Sequence, residues 1–78
     1  MASTLMNHSR ISRAVLVPRL QAVRLAAAMS QDDLAARAGV SRMTITRGEH
    51  GGQIRISSVR KLARALKVKP AALYAPPS

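Results

Sequence analysis

Residues 31–49 read Q-D-D-L-A-A-R-A-G-V-S-R-M-T-I-T-R-G-E, which predicts two short helices joined by a sharp turn at Gly39. Ser30 stands before the first helix and Asp33 follows three residues later, the S-x-x-D pattern of a capping box. Such a box pairs backbone N–H groups that a helix start leaves free. Leu34, Ala35 and Ala38 fall on one helix face at i, i+1 and i+4. Gly39 can take the left-handed conformation that ends a helix without a Cβ clash. Val40 then plugs the corner, and Ser41 is a second N-cap. The second helix is predicted over 41–47, with Ile45 inward and Arg42, Met43, Thr46 and Arg47 outward.

Helices that meet at a steep angle need close backbone approach, so the small Ala35 suits their crossing. Gly39 comes four residues later and Ile45 six after that, the spacing of a helix-turn-helix. The sequence resembles the Cro and phage-repressor (XRE) family of helix-turn-helix transcription regulators over about residues 17–74. Arg24, M-S-Q at 29–31, L-A at 34–35, A-G-V-S at 38–41, Ile45, Glu49 and Gly51 carry the resemblance. It continues through K-L-A-R-A-L at 61–66, Val68, Leu73 and Tyr74. The resemblance implies an all-α fold, a compact five-helix bundle, with double-stranded DNA as partner.

Duplex DNA offers phosphates for position and base edges for sequence, and a helix fits its major groove. The family's base-reading positions fall on Arg42, Met43 and Arg47, with Thr46 at their edge. Arginine can fork onto guanine, and methionine can touch a thymine methyl. Gln31, Ser41, Arg24, His50 and Arg55 are the expected phosphate contacts, Gln31 because a helix start favours an anion. By resemblance Gln31 also braces the reading helix, and Arg24 lies beside Glu49, tying two helices together. Ala35, Gly39, Val40, Ile45 and Glu49 are the expected structural residues of the turn. Gly48 departs from the family, which usually has an apolar residue there. The expectation is that it ends the reading helix early and leaves a gap against helix four. The proline common before helix four is also missing, with Ile54 and Arg55 in that region.

The totals fit this reading. Seventy-eight residues make one small domain. A chain of this size buries only about 60% of its extended surface. Tyr74 is the lone aromatic, so the core must come from aliphatic side chains and alanines. Thirteen Lys and Arg stand against three acids, a net charge of +10 that calls for a polyanionic partner. With no cysteine, disulfides and thiolate metal sites are excluded. His8 and His50 lack co-ligands, so no metal or cofactor is expected. No apolar run reaches membrane-spanning length.

Residues 1–16 carry Arg10 and Arg13, several serines and no acid, and are expected to be a flexible basic arm. The composition also fits an organelle transit peptide, and 13–17 could pair as an edge strand in a dimer. The folded domain is placed at 17–75, with 76–78 a short tail. Pro18 suits a helix start, and Leu20, Val23 and Ala27 form a stripe with helix one ending near Ala28. Residues 50–53 are a glycine-punctuated loop. Ile56, Val59, Leu62, Ala63 and Leu66 then recur at helical spacing, with Arg60, Lys61, Arg64 and Lys67 on the outer face. Ala71–Tyr74 is a last short helix.

The chain is therefore expected to be a sequence-specific DNA-binding transcription regulator and not an enzyme, since no acid–base constellation or cofactor loop is present. A cytoplasmic, nucleoid-associated homodimeric repressor is the leading expectation, its exposed apolar end (Leu73, Tyr74, Ala75) driving dimerisation. An antitoxin that represses its own operon and also binds a protein partner is a variant of it. The competing class is a cationic helical protein that binds RNA or membranes without sequence preference. That class predicts one long amphipathic helix rather than capped turns.

Overall fold

The computed structural model describes residues 13–74. Along them run β1 (Ala14–Leu16), α1 (Leu20–Ala26), α2 (Gln31–Ala38), α3 (Arg42–Glu49), β2 (Gln53–Arg55), α4 (Ile56–Leu66) and α5 (Ala71–Tyr74). The expected five helices are present, and the two three-residue strands are a minor addition.

Local chemistry sets the helix ends. Ser30 Oγ accepts from the Asp33 N–H at 3.0 Å, and the Asp33 carboxylate accepts from the Ser30 N–H at 3.1 Å. The capping box is thus complete at the start of α2. Gly39 ends α2 at φ +75°, a left-handed conformation that costs glycine little. Ser41 Oγ accepts from the Thr44 N–H at 3.1 Å and opens α3. The inner faces of the helices meet in one apolar core. Leu20, Leu34, Ile45, Leu62 and Leu73 are fully buried, one from each helix, with Val17, Ile54 and Val59 closing around them. The longest helix, α4, has 11 residues and buries Val59, Leu62, Ala63 and Leu66 on one side. Its Arg60, Lys61, Arg64 and the following Lys67 are exposed, as their positions predict.

Several expectations are corrected. The arm does not run to residue 16. Ala14, Val15 and Leu16 pair antiparallel with Arg55, Ile54 and Gln53 of the same chain. Residues 1–12 and 75–78, and with them Ala75 and the tail, lie outside the described residues. Helix one stops at Ala26 rather than Ala28, because Ala28 turns to φ +57°. Ala27 is exposed, and Arg24, expected off the stripe, is buried at 7% exposure. Leu73 is fully buried, so of the described part of that apolar end Tyr74 is the exposed residue.

The largest correction concerns Gly48. It does not end α3, which continues to Glu49, and it leaves no gap. A Cβ added there would stand 2.8 Å from Val17 Cγ2, 3.3 Å from Leu20 Cδ2 and 3.5 Å from Ile54 Cγ2. The missing side chain lets β2, α1 and the residue after β1 close directly onto the helix backbone. In the region where the family's proline is absent, Ile54 and Arg55 lie in β2, and the next N–H, that of Ile56, donates to the Arg13 carbonyl at 2.9 Å.

Candidate nucleic-acid interface

Helix α3 turns Ile45 and Gly48 into the core and leaves Arg42, Met43 and Arg47 outside. Met43 is 68% exposed, a large apolar side chain held in water. Met43 and Arg47 are one turn apart and share a face, with Arg42 beside them at the helix start. Thr46 is half-buried, and its hydroxyl donates to Gln31 Oε1 at 3.3 Å. It therefore stands at the inner edge of the outward face.

A buried brace fixes this helix. Arg24 forks onto Glu49, Nε to Oε2 at 2.6 Å and Nη2 to Oε1 at 3.0 Å. Its Nη1 donates to the Met29 carbonyl at 2.9 Å. The Gln31 amide donates to Glu49 Oε1 at 3.0 Å, while its oxygen faces Thr46 and, at 3.4 Å, Arg42 Nε. Four points are thereby joined: α1, the turn after it, the start of α2 and the end of α3. Bidentate arginine–carboxylate geometry fixes direction as well as distance. Glu49's side chain is 2% exposed and Arg24's 9%. Burial pushes the Glu49 carboxyl up, but the hydrogen bonds from Arg24 and Gln31 outweigh it and hold it below its ordinary value. The bond to Glu49 pushes Arg24 further up despite its burial. Both groups are charged at neutral pH.

This geometry sets Arg24 apart from the other expected contacts. Arg24, expected at a phosphate, instead donates from all three guanidinium nitrogens inside the fold and is 7% exposed. Gln31 likewise commits its side chain to the brace, and what it offers an anion is its N–H at the start of α2. Ser41 is exposed, with its hydroxyl 2.9 Å from Thr44 Oγ1. His50 is exposed and one ring nitrogen, Nδ1, lies 2.8 Å from the Thr46 carbonyl. Arg42 lies 3.6 Å from Asp32 in an exposed pair, a type worth about 0–1 kcal/mol and readily exchanged for another anion.

Two features were not legible beforehand. Gly52 lies under Arg47: a Cβ there would fall 2.6 Å from Arg47 Cγ. The Gly52 N–H also donates to the Arg47 carbonyl at 2.8 Å. The glycine makes room for the arginine's stem. Beside it, Thr44, Arg47, Arg55 and Ser58 line a polar cleft of about 250 Å³. Arg47 and Arg55 are thus brought together from α3 and β2. The chain segment between them folds back through Gly51 and Gly52, and only that paired glycine hinted at the approach.

Residues 20–73 match the family model described as Helix-turn-helix (HTH_3). The chain belongs to the helix-turn-helix family. As an XRE-type helix-turn-helix protein it is a DNA-binding transcription regulator and not an enzyme. A solved structure similar to it is the restriction-modification controller protein C.AhdI from Aeromonas hydrophila. That protein is 33% identical, with a TM-score of 0.67 over 72% of this chain and 86% of its own. No curated protein matches. Among the described residues, no three His, Cys, Asp or Glu cluster as metal ligands. No described helix of this helix-turn-helix protein is long and apolar enough to cross a membrane.

Proposed function

We propose that the protein is a sequence-specific repressor that binds DNA as a homodimer and inserts α3 into the major groove. The outward face of α3 carries the reading: Arg42, Met43 and Arg47 project together while the Arg24–Glu49–Gln31 brace holds the helix behind them. Arg47 and Arg42 can fork onto guanine, and the exposed Met43 can touch a thymine methyl. Thr46 contacts the edge of the same base set. Ser41, His50, Arg55 and the Gln31 N–H take phosphates on either side. Repression follows from occupying DNA that a polymerase must use. The similarity to a restriction-modification controller supports a regulatory rather than architectural role.

A homodimer is supported by the small core and by Leu25 and Tyr74, which α1 and its packed neighbour α5 leave exposed at 59% and 36%. Two copies would read half-sites about 34–36 Å apart, or a multiple of that. With about 6–10 phosphate contacts, affinity should fall roughly 10³–10⁵-fold between 50 and 200 mM salt. Selection of bound duplexes from a random pool tests the reading directly. The expected result is one enriched, two-fold symmetric sequence bound by two copies. A pool that stays random after selection, or a single half-site bound by one copy, would overturn sequence reading or dimerisation respectively.

A further inference from the structure

A second basic surface lies away from α3's outward face. Arg37 and Ala38 at the end of α2, Lys61, Arg64 and Ala65 of α4, and Lys67 after it line a cleft of about 450 Å³. Helix geometry places it at the far ends of both helices. Gln31, at the start of α2, touches α3, and Arg37 is six residues further, about 9 Å along the axis. Ser58 of α4 lines the cleft beside Arg47, and Arg64 is again six residues on.

The cleft has four cations at its rim and no acid in its lining. The two ion pairs of the described residues, Arg24–Glu49 and Arg42–Asp32, use none of the four. Arg37 and Arg64 occupy last turns, where a cation complements the helix dipole. That account does not extend to Lys61. Nor does it explain why Lys67 takes φ +59° at the α4 C-cap, a left-handed position that favours glycine. A lysine there keeps an ammonium group at the rim at a conformational cost. The floor, by contrast, is apolar and shallow, because Ala38 and Ala65 are small.

We propose that this cleft docks an acidic, partly apolar segment of a protein partner, so that the protein can hold DNA on one side and a polypeptide on the other. Charge complementarity selects a polyanion. The alanine floor selects a polypeptide over a second duplex, whose phosphate ridge has no apolar side chain to place there. The idea is independent of which bases α3 reads.

The test uses the full chain saturated with DNA, so that α3 is occupied. The probe is a fluorescein-labelled peptide of alternating glutamate and leucine, with a glutamate–serine peptide for comparison. The reversal variant carries Lys61→Glu and Arg64→Glu, both exposed sites. A charge-matched control carries Arg13→Glu and Lys69→Glu, also exposed. Melting curves verify that all proteins are folded. The proposal expects the glutamate–leucine peptide to bind the DNA-loaded protein more tightly than the glutamate–serine one. It also expects roughly tenfold weaker peptide binding in the reversal variant, with little loss in the control. Equal losses in both variants would reduce the effect to net charge and overturn it. So would no peptide binding, or peptide that competes with the bound DNA. Capture of a second duplex, lost in the reversal variant, while the peptide fails to bind, would replace the polypeptide with DNA.

Discussion

Replacing Gly48 by alanine sets two effects against each other. In a helix interior alanine is favoured over glycine by about 1 kcal/mol. The new Cβ, however, would sit 2.8 Å from Val17 Cγ2 and 3.3 Å from Leu20 Cδ2. Neither neighbour retreats easily, since Val17 is β-branched and 1% exposed and Leu20 is fully buried. Overpacking of this kind costs about 1–3 kcal/mol, so the net loss is about 0–2 and centres near 1 kcal/mol. For a domain this small that lowers Tm by roughly 4–8 °C. Val17→Ala removes the obstructing methyl and on its own costs about 1.5–3 kcal/mol, two buried methyl groups plus a cavity. In that background Gly48→Ala refills part of the space and keeps its helix gain, so it should stabilise by about 1 kcal/mol. The reversal of sign between the two backgrounds is the signature. Urea melts of the four proteins, with equal slopes, measure it. An alanine at 48 that stabilises the parent protein would refute the reasoning, because it would mean that Val17 and Leu20 do not close onto α3 there.

Three further outcomes follow from the brace and the strand. Arg24→Ala leaves the Glu49 carboxylate buried against Gln31 alone and should cost about 3–5 kcal/mol in urea melts; pairing Arg24→Met with Glu49→Leu should recover most of it. The Glu49 carboxyl titrates below its ordinary value, so its stabilisation is complete above about pH 4.5 and is lost as pH falls through the lower folded-state value. Acid melts of the Arg24→Met, Glu49→Leu variant should therefore show a shallower loss than the parent. Deleting residues 1–16 removes β1 and the Arg13 carbonyl that accepts from the Ile56 N–H, and should lower the melting temperature measurably.

The α2–α3 unit was legible because its signals are local. Ser30, Asp33, Gly39 and Ser41 each act within a few residues of themselves, and the structure uses each as read. The Arg24–Glu49 pair came only through resemblance, since nothing in spacing alone links α1 to the end of α3. Its burial was not foreseen: Arg24 was read off the apolar stripe of helix one, yet it is 7% exposed. Gly48 was misread because its reason lies in Val17 and Ile54, which reach it only after the chain has folded. β2 escaped for a similar cause, since three residues carry no readable period. The edge strand offered at 13–17 finds its partner in the same chain, from the other side of α1, α2 and α3, rather than in a second copy. Gly52 looked like loop punctuation, yet it also gives Arg47 its place.

Whether α3 reads bases is decided by Arg47 against Arg60. Both are exposed; Arg47 lies on the outward face of α3, and Arg60 lies on α4. The measurement is a set of binding titrations of Arg47→Ala and Arg60→Ala on the selected site and on scrambled DNA, at one salt concentration, with both variants shown folded. Arg47→Ala should lose about 1–3 kcal/mol on the selected site and much less on scrambled DNA, relaxing preference at one base position per half-site. Arg60→Ala should weaken both DNAs alike or neither. Equal losses on both DNAs for Arg47→Ala would make it a phosphate contact, and no loss on either would put the reading surface somewhere other than α3.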